Sequence, residues 1–106
     1  MTVLEVIDDS CGFHTRVIAQ RKDREVVTLK ISSECEEVSR WGDEITQVDW
    51  RECLGGNALE SKLLRSAFKI LKHRSCFVPT AVLRAVEAEV GANLPARVKM
   101  SFLPAE

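Results

Sequence analysis

Four cysteines, Cys11, Cys35, Cys53 and Cys76, are the residues best equipped for chemistry in this chain of 106 residues. Four thiolates form a complete ligand set for Zn²⁺ or an iron–sulfur cluster, and one exposed thiolate forms a nucleophile. Successive cysteines stand 24, 18 and 23 residues apart with no C-x-x-C pair, whereas most zinc and cluster sites use at least one close pair. The competing reading is packing, because a free cysteine behaves as a small hydrophobe and is usually buried. Cys53, followed by Leu54 and Gly55-Gly56, suits that reading best. The candidate metal ligands are therefore Cys11, Cys35 and Cys76, with Cys53 as a fourth candidate. The same three also qualify as reactive thiols.

Other constellations are weaker. His14 lies three residues from Cys11, and His73 three residues from Cys76. Strand parity puts His14 on the face opposite Cys11. His73 falls at the end of a basic helix, where an exposed histidine partners the helix dipole. Lys62, Arg65, Lys69 and Lys72 form a stripe at helical spacing, which reads as a solvated helix face rather than a phosphate-binding surface. Tyrosine is absent and no aromatic interleaving offers base stacking, which argues against nucleic acid as a partner. Residues 34–52 hold seven acidic and two basic side chains, able to pair with that stripe within the chain or across a dimer. Gly55-Gly56-Asn57 matches no phosphate-loop pattern, and no acidic spacing matches an EF-hand. Trp41 and Trp50 are expected at the rim of the core or as anchors for a partner.

Composition sets the frame for these residues. The length suits one domain, residues 1–106. Hydrophobic residues at 45% and charged residues at 29% describe an ordinary globular chain rather than a disordered one. A net charge of −1 exerts no bulk pull toward nucleic acid or membrane. No apolar run approaches the ~18 residues of a membrane span, and the first residues lack signal-peptide character. The expected setting is the cytoplasm, where thiols stay reduced and a disulfide framework is not expected.

Three strands come first. Residues 2–8 are rich in Val, Leu and Ile and close on Asp8-Asp9-Ser10. Residues 13–20 alternate, with Phe13, Thr15, Val17 and Ala19 on one face. Residues 25–32 place Val27, Leu29 and Ile31 on one face. Short connections imply an antiparallel meander. Ser33 to Glu36 fits a capping box opening a short acidic helix that ends near Trp41 at Gly42. Residues 43–53 match neither period. Asn57 caps a helix over residues 58–73, which carries Leu59, Leu63, Leu64, Ala67, Phe68, Ile70 and Leu71 on its apolar face. Pro79 begins a helix stopped by Gly91. Residues 96–103 alternate again, with Val98, Met100 and Phe102 inward, predicting a last strand that Pro104 ends. The expected fold is α+β in the order βββ-ααα-β, with about three helices on one face of the sheet.

That topology brings two cysteines toward each other. The turn after the first strand and the exit of the third lie at the same end of a meander. Cys11 occupies that turn and Cys35 lies just past that exit. Continuing the strand parity back from Phe13 points Cys11 toward the helices. Cys35 and Cys76 both fall near helix N-termini, where free N–H groups favour a thiolate.

The segments Cys11-Gly12-Phe13, Ser33-Glu34-Cys35-Glu36 and Cys76-Phe77-Val78-Pro79, the last followed by an Ala-rich helix, together resemble a family of small uncharacterised prokaryotic proteins associated with anaerobes such as methanogens and sulfate reducers. The resemblance spans nearly the whole chain. It implies that the family's recurring cysteines correspond to Cys11, Cys35 and Cys76. It brings no activity, and an anaerobic setting would favour zinc or iron–sulfur chemistry by association only. The alternative is a structural or interaction domain, homodimeric, with its cysteines packed and inert. The sequence names no small-molecule ligand.

Overall fold

The computed structural model describes residues 1–105. Its centre is a four-stranded antiparallel sheet in the order β1-β2-β3-β4, built from β1 (Thr2–Asp8), β2 (Phe13–Arg21), β3 (Val26–Ser33) and β4 (Gln47–Asp49). The register sets Leu4 opposite Val17 and Val6 opposite Thr15, then Val17 opposite Ile31 and Ala19 opposite Leu29. Because side chains alternate along each strand, these residues share one face. The helices cover it: α1 (Glu36–Glu44), α2 (Trp50–Cys53), α3 (Lys62–Ile70) and α4 (Val78–Glu89). Val17, Ala19, Val27, Trp41, Leu63, Ala67, Val82, Ala85 and Val86 form the buried centre. The α+β class and the meander are as the alternation predicts.

The fourth strand is not the expected one. Residues 96–103 form no strand, and every described residue from Gly91 onward is exposed. The sheet instead gains β4, which pairs Asp49 with Val26 and Gln47 with Thr28. Three residues are too few to show a period, which is why residues 43–53 fitted neither template.

Two helix boundaries also move. Ser33 does not cap α1; it remains in β3 opposite Thr15, and the two hydroxyls share a 2.8 Å hydrogen bond. The Ser33 hydroxyl accepts from the Cys35 N–H at 3.0 Å. The Glu34 carboxylate accepts from the His14 N–H at 2.7 Å. Pairing with β2 thus outcompetes the capping box, and α1 starts later with Cys35 at its N-cap and no side-chain cap. Gly42 does not stop the helix. It is buried inside α1, where an added Cβ would lie 2.9 Å from Cβ of Ile31, so its small size lets the helix approach the sheet. The long helix expected over residues 58–73 is shorter: a 3₁₀ turn spans Ala58–Glu60, and Ser61 then caps α3 by accepting from the Leu64 N–H.

Trp41 is fully buried, and its indole N–H donates to the Ser66 hydroxyl at 3.0 Å, tying α1 to α3. Trp50 is half-buried at the end of the sheet where β3 begins; its N–H donates to the Arg24 carbonyl at 2.8 Å, and the Arg21 guanidinium lies 5.8 Å from its ring centre. Both indoles are therefore structural contacts within the chain.

Candidate cysteine site

The end of the sheet where β1 turns into β2 collects three of the four cysteines. Asp8 faces Phe13 there. The Asp8 carboxylate accepts from the Ser10 N–H at 2.9 Å and the Ser10 hydroxyl at 2.7 Å. The Asp8 carbonyl accepts from the Gly12 N–H at 2.8 Å and from the Cys11 thiol at 3.6 Å. These bonds fold the turn and hold the Asp8 carboxyl below its ordinary range, the Ser10 hydroxyl being the main cause. Cys11 is exposed in that turn. Gly12 takes a positive φ of 75°, so the strand parity from which a direction toward the helices is expected does not carry across the turn.

Cys35 follows the exit of β3 at the same end, half-buried against the core rim. The Glu34 N–H donates to the His14 carbonyl at 3.2 Å, closing the β3 exit onto the start of β2.

Cys76 arrives by a route that the sequence does not show. Glu89, at the end of α4, accepts from the Thr2 hydroxyl and the Arg21 N–H, both at 2.7 Å. Burial alone would raise the Glu89 carboxyl, but these donors outweigh it and hold it below its ordinary range. They anchor the C-terminus of α4 at the opposite end of β1 and β2. The twelve residues of α4 run back about 18 Å at 1.5 Å per residue, close to the ~20 Å length of a seven-residue strand. The helix N-terminus, with Cys76 just before the Phe77 N-cap, therefore returns to the turn that holds Cys11. Burial pushes the Cys76 thiol up, the Val78 N–H bound to it pulls it down, and the neighbouring Cys35, Cys11 and Asp8 push it up further through like-charge repulsion. These four groups share one electrostatic neighbourhood. With the side chains as they stand, no group of three His, Cys, Asp or Glu among the described residues forms a ready metal cage.

Asp8 is the member that sequence reading missed. Asp8-Asp9-Ser10 looked only like turn residues, although a carboxylate three positions before a candidate ligand was signal enough to include it.

Cys53 stands elsewhere. It ends α2, which follows β4, and β4 pairs with the first residues of β3. Cys35 lies past the last residue of β3, so an eight-residue strand of roughly 23 Å separates the two. The Cys53 thiol is 3% exposed and donates to the Asp49 carbonyl at 3.4 Å. It cannot serve as a fourth ligand to the other three. It adjoins an open groove of about 460 Å³ lined by Asp49, Glu52, Lys62 and Arg65. Lys62 and Glu52 pair there at 2.6 Å, one of the intramolecular contacts expected between the acidic segment and the basic stripe. His14 and His73 are exposed, as read.

Burial pushes the Cys53 thiol up to about 11 from 9.0. The folded value exceeds the unfolded one, so its contribution to stability is complete below pH 9 and is lost as pH rises toward 11. At 1.36 kcal/mol per pH unit, the loss amounts to about 2–3 kcal/mol. Urea unfolding at pH 8 and pH 10.5 should show this decline in the native protein and a shallower one in Cys53→Ala. Equal declines would mean that Cys53 is not the buried thiol responsible.

All four cysteines are unpaired, and no described helix is long and apolar enough to cross a membrane. No curated protein and no solved structure matches the chain. Residues 2–102 do match a Family of unknown function (DUF6951), and with almost its whole length inside that match the chain belongs to this family.

Proposed function

We propose that the protein binds a thiophilic divalent cation, zinc in the first instance, through Cys11, Cys35 and Cys76, with Asp8 as an oxygen donor. The observation that carries this reading is the meeting of a β-turn, a strand exit and a helix N-terminus at one end of the sheet, each bringing a cysteine. Packing alone calls for no such meeting, and Cys53 illustrates what a packed thiol looks like here. Like-charge repulsion within the group is what a bound cation relieves, and a coordinated thiol is deprotonated outright. The Cys76 thiol, pushed up by burial and by its neighbours, is a poor free nucleophile, which disfavours Cys76 as a reactive thiolate. Three sulfurs and one oxygen suit tetrahedral Zn²⁺. A cluster needing four cysteines finds only three at this end. Binding draws the exposed Cys11 turn in toward Cys35 and Cys76.

The test is metal and acid-labile sulfide content, with a UV-visible spectrum, on protein purified anaerobically. About one zinc per chain is expected, lost in Cys11→Ser, Cys35→Ser and Cys76→Ser and retained in Cys53→Ser. A metal-free protein that takes up no added zinc, or full retention in all three variants, overturns the reading. Iron with sulfide would replace zinc by a cluster and require a cysteine from a second chain.

A further inference from the structure

Residues 96–103 have the period of a strand and no strand beside them. Val98, Met100 and Phe102 alternate with Arg97, Lys99 and Ser101, the pattern of a strand with one buried face. Yet Val98 and Met100 are about two-thirds exposed and Phe102 is fully exposed. Every described residue after α4 from Gly91 onward is exposed, and the molecule is elongated, 49 Å along one axis against 28 and 25 Å across.

The sheet, in turn, has one long open edge. Its outer strands are β1 and β4. β4 has only three residues, too few to template another strand. β1 has seven, without proline or lysine, and its charged residues are Glu5 and, at its end, Asp8, so it lacks the two residues most used to blunt an edge. Its inward residues Leu4 and Val6 are only half-buried, although the equivalent Val17 and Ala19 of β2 are fully buried. Val3 and Ile7 on its outer face are about half exposed. Glu5 lies between them on that face.

We propose that residues 96–103 pair as an added strand with the β1 edge of a second copy of this chain, reciprocally in a dimer. The eight-residue segment matches the seven-residue edge in length. Turning Val98, Met100 and Phe102 inward covers Leu4 and Val6, and alternation then sets Arg97 and Lys99 on the same face as Glu5. Two such contacts bury on the order of 1,500–2,000 Å², the range of a stable interface. A second copy is favoured over the chain's own edge because every described residue of the segment is exposed and none pairs with the β1 of its own chain. The exchange does not depend on the cysteine site.

The test is light scattering with hydrogen–deuterium exchange on the full chain at about 50 μM, for the native protein, Lys99→Pro and Met100→Asp. Both substitutions lie in a segment exposed in the chain itself, so neither removes a core contact. Proline deletes a ladder N–H, and a charge inside the covered face costs affinity. A dimer with protected amides in residues 97–103 is expected, weakened roughly 100-fold or more by either substitution. A monomer at this concentration overturns the proposal, whether its tail is unprotected or is protected by pairing with its own edge. So does a dimer that neither substitution weakens. Capture of an unrelated strand-forming peptide by a monomer would assign the edge to a different partner and also overturn it.

Discussion

Zinc affinity is expected to fall by about a thousandfold when the pH is lowered from 7 to 6. A thiol coordinates zinc as a thiolate, so at a solution pH below the ordinary thiol value of ~8.5 the binding of three cysteines releases three protons per ion. The association constant then changes by about three decades per pH unit. Asp8 adds nothing to this slope, because its hydrogen bonds to Ser10 hold it below its ordinary range and it remains ionised at both pH values. Competition with a chromophoric chelator, corrected for the chelator's own protonation, measures the effect. Cys53→Ser, which keeps all three ligands, should leave the slope at about three decades per unit. A slope of one decade or less in the native protein would mean that the three thiols do not bind together.

Replacing Trp41 with alanine should remove about 3–5 kcal/mol of folding free energy, a large part of the ~5–15 kcal/mol that holds a domain together. Trp41 is fully buried among the helices and sheet and is the largest such side chain. Its truncation leaves a cavity where α1 and α3 meet. Trp41→Phe keeps most of the ring and loses the hydrogen bond to Ser66. Ser66 still donates to the Leu63 carbonyl at 2.7 Å, so that variant should lose nearer 1–2 kcal/mol. Urea unfolding followed by circular dichroism separates the two. A loss below about 1 kcal/mol for Trp41→Ala would contradict its place at the centre of the core.

Much of this molecule was legible along the chain. The Val, Leu and Ile content of residues 2–8 and the turn that closes them give β1 its observed limits, and the unlike polarity of their two faces gives β2 and β3 within a residue at each end. Pro79 and Gly91 marked the limits of α4 closely, since each is tied to a local backbone requirement. Gly42 misled because a glycine that ends a helix and one that lets a helix touch a sheet look alike in sequence. The capping box at Ser33 misled for a related reason: the same hydroxyl had a competing partner in Thr15, eighteen residues away.

Alternation in residues 96–103 reported a face that needs cover without identifying what covers it. Periodicity is a property of one segment, whereas pairing belongs to two. The cysteines divide in the same way. Meander topology was enough to bring Cys11 toward Cys35, because short connections leave β1, β2 and β3 no other arrangement. The place of Cys76 depended on the direction of α4, settled by Glu89 binding Thr2 and Arg21 at the far end of the sheet. The exclusion of Cys53 depended on the pairing of β4 with the first residues of β3. Local amphipathy, turns and caps act within a few residues and can be read in order. Helix direction and strand register arise from contacts between segments tens of residues apart, and they exist only once the chain has folded.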